Sequence, residues 1–379
     1  MKKILSLIAF VVFAFANTIN TVNAETTIKI DAAGDTYFVT DNATVPFRNS
    51  GMERQFAFYN PMKGSTGINH AFLMGRVESD LWRVNVGAGY RGDAFQLHLE
   101  EANVAVKLFD ALWLEGGYFL PSLTGDVDYT FEAWFTGNSL TDYLASDYQA
   151  GMGLFYEIDP TLTVRARAIN SAYSRMSENR STTFLLNCDW AEAFGLKDWN
   201  FSGGTMIGNQ DIINYAPWPV PYKTTTSLQT LTAVHLKGKI TDVLEANFRL
   251  KFGTLADGAV NDKNDTITAT AYSAQVMLRY ALTEKKSIGC RLAYTSDEDG
   301  IFGIENSGMD LGLVFEYRPV KSVYVRLEGN MLSLLKNSKD DNSEKVFNIG
   351  GTMKNTRMEA ALSLGYIFNL YQKTVASLE

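Results

Sequence analysis

Apolar and polar residues alternate along most of this chain with a period of two. Segments 161–169 (TLTVRARAI), 244–252 (LEANFRLKF) and 323–331 (VYVRLEGNM) each place aliphatic and aromatic residues on one side and charged or polar residues on the other. Successive side chains of a β-strand point to opposite faces, whereas a helix would mix these two sets. The pattern therefore predicts strands with one apolar and one polar face.

About sixteen such segments follow one another, a number within the range of outer-membrane barrels. The predicted strands span residues 26–38, 69–79, 81–91, 95–108, 111–120, 147–158, 161–173, 181–192, 198–208, 225–240, 243–255, 266–282, 286–298, 307–319, 321–335 and 355–368. We therefore predict an all-β fold, a transmembrane antiparallel β-barrel over residues 25–368.

The connections between the predicted strands alternate between tight turns and long loops. The long loops span residues 39–68, 121–146, 209–224 and 336–354, and the link at 91–95 is a short exception among them. Outer-membrane barrels have short turns on the periplasmic side and longer loops outside. An even number of strands also returns both termini to the periplasm, where an exported chain starts.

Two features favour a membrane barrel over the alternative of a soluble, secreted all-β protein. Many predicted strands reach about ten residues, the length that crosses a bilayer at a tilt. Aromatic residues also recur on the apolar faces beside the tight turns, as in the girdle that marks a membrane interface. These residues are Trp82, Tyr156, Trp190, Trp199, Tyr280, Tyr317 and Tyr366.

The first 24 residues have the pattern of an export signal. Met1–Lys3 is basic, residues 4–16 are apolar, and Val22–Ala24 offers the small residues that a signal peptidase reads. We expect cleavage after Ala24 and a location in the bacterial outer membrane. The alternative is an N-terminal membrane anchor, for which the apolar run is short.

Composition excludes several other classes of protein. The 379 residues carry 34 basic and 42 acidic side chains, a net charge of −8 that becomes −10 without residues 1–24. A nucleic-acid-binding protein needs a basic surface instead. Outside the N-terminus no apolar stretch approaches the roughly 18 residues of a membrane helix. Cys188 and Cys290 lie on the predicted lipid faces of different strands, too far apart for a disulfide.

Three segments resemble the family called β-barrel porin 2. They are 97–121 (LHLEEANVAVKLFDALWLEGGYFLP), 148–158 (YQAGMGLFYEI) and 162–173 (LTVRARAINSAY), and the wider resemblance to outer-membrane porins covers nearly the whole mature chain. The resemblance implies a water-filled channel for small hydrophilic solutes, often a homotrimer, with the third external loop folded into the lumen. Here that loop is 121–146. Such barrels usually end on an aromatic residue, whereas residues 369–379 follow Phe368 as a predicted tail.

The polar register of the strands predicts the charges of the inner wall. A Lys or Arg facing lipid at the midplane would cost about 2–4 kcal/mol, so these side chains should face water. Residues 108–164 contain no Lys or Arg but nine acids. We therefore predict that loop acids oppose a basic wall and create a transverse field. The candidate constriction residues are Asp126, Asp128, Glu132, Arg249, Lys251, Arg279, Arg291, Arg165, Arg167, Lys237 and Lys239. The simpler alternative is that the wall charges solvate the lumen and cancel.

Five glycines on the predicted lumen register fit a loop that folds inward. Glycine often marks close approach of another backbone, although bending of the barrel wall would explain the same residues. The glycines are Gly87, Gly89, Gly117, Gly151 and Gly153.

Motifs for catalysis or metal binding are missing from the sequence. His70, His98 and His235 stand alone, without the serine and acid partners of a hydrolase. No His-x-His or Cys-x-x-Cys motif occurs, and segment 257–265 lacks the spacing of a calcium loop. We predict neither an enzyme nor a cofactor.

Three functions remain open. The first is a passive diffusion porin, and the second is a substrate-specific channel, which Trp113, Phe119, Phe155 and Tyr324 on the inner register would suit. The third is a structural or adhesive barrel, for which the loops are short. The expected partners are outer-membrane lipids and lipopolysaccharide, the barrel assembly machinery, small solutes and further copies of the chain, but no nucleic acid.

Overall fold

The described chain forms a closed barrel of sixteen antiparallel strands, with one small two-stranded sheet outside it. The structure is a computed structural model. It describes residues 25–42, 65–91, 96–120, 123, 133–137, 139–144, 149–170, 182–214, 223–260, 266–301, 306–335, 347–349 and 352–375. The predicted signal at 1–24 lies outside these residues.

The first half of the barrel runs from β1 to β8. These strands are β1 (Thr26–Asp41), β2 (Ser65–Ser79), β3 (Trp82–Arg91), β4 (Gln96–Lys107), β5 (Leu112–Phe119), β6 (Gln149–Asp159), β7 (Leu162–Ile169) and β8 (Thr183–Ala191).

The second half comprises β9 to β15 and β18, and β16 and β17 form the small separate sheet. The strands are β9 (Trp199–Asn214), β10 (Lys223–Lys239), β11 (Leu244–Val260), β12 (Thr266–Thr283), β13 (Lys286–Ser296), β14 (Ser307–Val320), β15 (Val323–Leu335), β16 (Phe347–Ile349), β17 (Thr352–Lys354) and β18 (Thr356–Val375).

Each barrel strand pairs with the next one along the chain, and β1 closes the barrel against β18. Closure satisfies the backbone hydrogen bonds of every strand, which is what a sheet needs in order to stand in lipid. None of the described helices is long and apolar enough to cross a membrane.

Alternation along β11 shows which face of the sheet points outward and which points into the barrel. Phe248, Leu250 and Phe252 point outward and are 37%, 57% and 48% exposed. Asn247 and Arg249, between them, are buried inside the barrel. This arrangement confirms the predicted facing, with the apolar register toward lipid and the polar register toward the lumen.

The aromatic residues beside the short turns also point outward. Tyr156, Tyr280, Tyr317 and Tyr366 are all exposed, and the three predicted tryptophans are partly exposed. They form a band at the short-turn end of the barrel, as an interfacial girdle requires.

Several short turns share one hydrogen-bonding device. The Ser79 hydroxyl accepts from the backbone N–H groups of Leu81 and Trp82, and the Asp159 carboxylate accepts from those of Thr161 and Leu162. Thr241 and Thr283 repeat the pattern. Such side chains close a turn without help from other parts of the protein, which explains why these turns could be located in the sequence.

The main differences from the predicted boundaries lie at strand ends. β18 runs to Val375, so residues 369–375, predicted as a tail, belong to the barrel. They pair with β1, from Asn369 opposite Asp31 to Val375 opposite Thr26. The predicted end at Phe368 was therefore too early, because the first residues of β1, from Thr26 onward, pair with the residues that follow Phe368. The predicted loop 336–354 also contains β16 and β17.

Cys188 and Cys290 are both free and partly buried. The described residues contain no group of three or more His, Cys, Asp or Glu side chains placed to hold a metal ion. Residues 261–265 of the acidic segment lie outside the described part.

Candidate functional site, the loop bound to the inner wall

Part of the connection between β5 and β6 lies against the inner wall of the barrel. Its described residues are Leu123, 133–137 and 139–144. Leu140–Tyr143 forms a short 3-10 helix. The Ser139 hydroxyl accepts from Thr141 N at 3.2 Å, and the Asp142 carboxylate accepts from Ser139 N at 2.6 Å. The Ser-x-x-Asp spacing of this capping box is a sequence signal for the start of a helix, and it could have located the short helix within the predicted loop.

Two wall carboxylates accept hydrogen bonds from three backbone N–H groups and one hydroxyl group of the loop. Asp310 on β14 accepts from Ser139 Oγ at 2.7 Å and from Leu140 N at 2.8 Å. Glu328 on β15 accepts from Thr136 N at 2.7 Å and from Gly137 N at 3.2 Å. Hydrogen bonds to an ionised group are the stronger kind, so these four contacts fix the loop on this wall.

Three wall bases bind the carbonyl groups of the same loop. Arg291 donates to Gly137 O at 2.8 Å, Arg326 to Ala133 O at 2.5 Å, and Lys251 to Thr141 O at 3.0 Å. Arg326 also donates to Thr136 Oγ1 at 3.1 Å. Because the wall recognises the loop mainly through backbone atoms, opposite charges on the loop are not required to hold it.

Ion pairs within the wall connect these anchors. Arg291 pairs with Asp310 at 3.1 Å, and Arg326 pairs with Glu316 at 2.7 Å. All four side chains are at most 5% exposed. Removal of one partner from a buried pair typically costs about 3–5 kcal/mol, because the other charge is left buried. The wall and the loop therefore form one polar network.

Apolar contacts complete the attachment of the loop. Leu140 and Leu144 pack among residues of β1, β12, β15 and β18, including Tyr37 and Leu332. Trp134 and Phe135 pack on Met277 and Val314 of β12 and β14. Leu123 packs on β7 to β10. The contacts of the described loop residues thus lie on β1, β7 to β15 and β18.

Two glycines make room for the loop, but they are not those predicted. A Cβ on Gly308 would lie 2.8 Å from a Leu140 methyl, and one on Gly312 would lie 3.0 Å from the Phe135 ring. The predicted lumen glycines face the wall itself. Gly87 and Gly89 face Met74 and Glu100, and Gly117, Gly151 and Gly153 lie against the adjacent strand. These five glycines therefore pack against other wall residues and do not mark the approach of the described loop residues.

Several predicted constriction residues meet the loop. Arg249 lies 3.8 Å from the Asp142 carboxylate, and Lys251 and Arg291 contact the loop as described above. The Lys237 ammonium lies 5.6 Å from the centre of the Trp134 ring.

Other predicted bases have partners on the wall instead. Arg279 pairs with Glu316 at 2.6 Å and Glu245 at 3.5 Å. Arg167 pairs with Glu115 at 2.6 Å, Arg165 pairs with Asp189, and Lys239 is exposed at the end of β10. Asp126, Asp128 and Glu132 lie outside the described residues.

Asp310 was missed, although it shares the lumen register of β14 with Glu316. The alternation was therefore a sufficient signal for its facing. Its role could not be read from the sequence, because that role depends on which loop atoms reach it.

Comparison with known proteins agrees with this architecture. Residues 27–370 match the family model described as "Putative beta-barrel porin-2, OmpL-like". No curated protein sequence matches the chain.

Solved outer-membrane structures share the fold. OmpT of Vibrio cholerae is 12% identical with a TM-score of 0.57, over 90% of this chain and 98% of that one. OprB of Pseudomonas putida is 12% identical with a TM-score of 0.56, over 90% and 94%. An anion-selective porin from Comamonas acidovorans is 8% identical with a TM-score of 0.58, over 90% and 100%. At these identities the likeness shows the fold alone.

Proposed function

Since this chain belongs to the β-barrel porin-2, OmpL-like family, we propose that it is an outer-membrane channel through which small hydrophilic solutes and ions diffuse passively. The closed barrel of sixteen strands supplies the path, and its apolar outer face fits the membrane. The polar inner face allows water to fill the path.

The attachment of the β5–β6 loop to the wall carries the proposal of a constriction. Asp310, Glu328, Arg291, Arg326 and Lys251 all hold loop atoms inside the barrel. A loop bound there reduces the cross-section left for solutes. The contacts of the described loop residues leave β2 to β6 uncovered, so we place the passage between the loop and these strands.

The charge at this constriction is proposed to set ion preference. Asp142 is 28% exposed beside Arg249, and Asp126, Asp128 and Glu132 belong to the same loop. Acids on the loop facing uncovered wall bases would produce the transverse field expected from the sequence. Arg291, Arg326 and Lys251 hold the loop and are buried, so they contribute less to that field.

Assembly as a homotrimer is proposed from one of the solved relatives. OmpT of Vibrio cholerae is described in a trimer form, with 12% identity and a TM-score of 0.58 over 90% of this chain and 99% of that one. Cleavage after Ala24, insertion by the barrel assembly machinery and contact with lipopolysaccharide belong to the same proposal.

The aromatic residues on the inner wall do not favour a channel with an aromatic track. Trp113, Phe119, Phe155 and Tyr324 are at most 5% exposed. Arg83 lies over Trp113, Arg167 over Phe119 and Arg326 over Tyr324. These rings are therefore buried and covered by cationic side chains, and they offer no open aromatic face to a solute.

Single-channel recording in planar bilayers tests the function and the constriction together. The mature protein should give ohmic steps, and absence of channels from correctly folded protein would contradict the channel.

The double variant Asp310→Asn, Glu328→Gln loses two charged acceptors, and a hydrogen bond to a charged group contributes about 1.5–3 kcal/mol. We expect larger and noisier conductance steps. Glu245→Gln, whose Arg279 contact does not involve the loop, is the control. Identical conductance in all three proteins would contradict the constriction.

A further inference from the structure

Three basic side chains converge at the short-turn end of β3 to β7. Arg83 is the second residue of β3, Lys107 the last of β4, and Arg165 the fourth of β7. They surround an aromatic pair, Trp113 on β5 and Phe155 on β6. The short-turn end of an outer-membrane barrel faces the periplasm, so this cluster lies at the inner mouth of the channel.

The two rings stack on each other, and the three cations lie over their faces. Trp113 and Phe155 are stacked, with centroids 5.5 Å apart and planes at 7°. The Arg83 guanidinium lies 4.1 Å from the Trp113 centroid and the Lys107 ammonium 5.5 Å from it, while Arg165 lies 5.5 Å from the Phe155 centroid. Attraction between cations and ring faces holds three like charges together without neutralising them.

Among the described residues, two carboxylates contact the three cations. Glu157 accepts from Trp113 Nε1 at 3.0 Å and pairs with Arg83 at 2.8 Å, and Asp189 pairs with Arg165. Lys107 has no ion pair within the described part of the chain. The cluster therefore carries one uncompensated positive charge.

Hydrogen-bond donors also remain available here. A guanidinium has five N–H donors, and the Arg83 side chain is 36% exposed with one ion-pair contact to Glu157. In contrast, Arg326 is buried and donates to both Glu316 and the loop. The exposed turn acids Asp80, Asp110 and Asp159 lie farther out, where salt screens them.

We propose that Arg83, Lys107 and Arg165 form a binding site for the carboxylate group of a permeating solute. The proposal rests on the channel function and adds a class of solute to it. Arginine donors match a carboxylate in a bidentate manner, and the ammonium of Lys107 adds an unpaired charge. The two existing ion pairs keep binding weak enough for release, as conduction requires.

The experiment compares potassium acetate with potassium chloride in planar bilayers. The conductance of the unaltered protein should saturate with concentration in acetate at a lower level than in chloride. The triple variant Arg83→Gln, Lys107→Gln, Arg165→Gln should raise the half-saturating acetate concentration about fivefold, a factor that corresponds to about 1 kcal/mol. Half-saturation in chloride should change much less.

The control removes the same number of charges from the same end of the barrel. Lys29→Gln, Lys285→Gln, Lys321→Gln alters one partly exposed and two exposed lysines outside the cluster, and it should leave acetate saturation unchanged. Equal shifts in the two triple variants would overturn the site in favour of a general charge effect. Lys107→Gln alone leaves both ion pairs intact, so it tests the site even if the triple variant fails to fold. If unaltered protein conducts but acetate does not saturate, the site is wrong while the channel stands.

Discussion

Two glycines on neighbouring strands of this barrel have different surroundings. A Cβ on Gly312 would lie 2.8 Å from Asn330 Oδ1 and 3.0 Å from the Phe135 ring, whereas one on Gly329 would meet nothing within 4 Å. Gly312 faces the loop, and Gly329 lies on the outward register of the neighbouring strand β15. The role of a glycine in a strand therefore depends on the side chains that surround it in the folded barrel.

Gly312→Val should disturb the constriction, while Gly329→Val should not. The added methyl groups at position 312 must displace Phe135 or Asn330, and overpacking of this kind typically costs about 1–3 kcal/mol. We expect altered single-channel conductance and noise for Gly312→Val. An unchanged channel in that variant would show that the loop does not pack on β14.

Leu250 provides a second residue-level prediction. Its side chain is 57% exposed on the outer face of β11, and Lys251 beside it points into the barrel. Leu250→Arg should impair insertion into lipid, because the cost is about 2–4 kcal/mol near the midplane. Lys251→Arg keeps a charge of the same sign on the lumen face and should insert normally. Heat-modifiable gel mobility after refolding measures both, and equal insertion would contradict the assigned facing.

At the level of elements, the closing pair β1–β18 decides where the barrel ends. β1 has partners on both sides, and residues Asn369–Val375 provide one of them for Thr26–Asp31. Without that partner, this part of β1 would become a free edge with unsatisfied backbone groups.

Truncation tests this closure. Deletion of residues 369–379 should slow or prevent assembly, because it exposes the edge of β1. Deletion of 376–379, which follows β18, should be tolerated. The yield of heat-modifiable barrel in lipid vesicles distinguishes the two, and equal yields would mean that the last part of β18 does not contribute to assembly.

The described part of the whole molecule combines a closed wall with an inserted segment. Sixteen strands form the wall. The described residues of the β5–β6 loop are held on its inner face by hydrogen bonds to charged side chains, some of which form buried ion pairs with each other. We therefore expect conductance and ion preference to depend on contacts between residues distant in sequence, such as Thr136 and Glu328.

Neutralising loop acids should change selectivity. Replacing Asp126, Asp128 and Glu132 by amides should shift the reversal potential in a salt gradient toward anion preference, because three negative charges leave the loop. The shift should shrink in 1 M salt, where the screening length is about 3 Å. If neither conductance nor reversal potential changes, these acids do not face the pore.

The sequence alone determined the strands and their facing. The period of two depends only on backbone geometry, and the cost of a lipid-facing charge near the midplane reinforces it. Turns such as Asp159–Leu162 are closed by their own side chains, so they too were readable locally. Tertiary structure decided the rest. Barrel closure brings together the atoms on which three features depend: the anchoring of the loop by Asp310 and Arg291, the glycines that face the loop, and the extension of β18. Strands distant in sequence meet the loop only after the sheet has curved on itself.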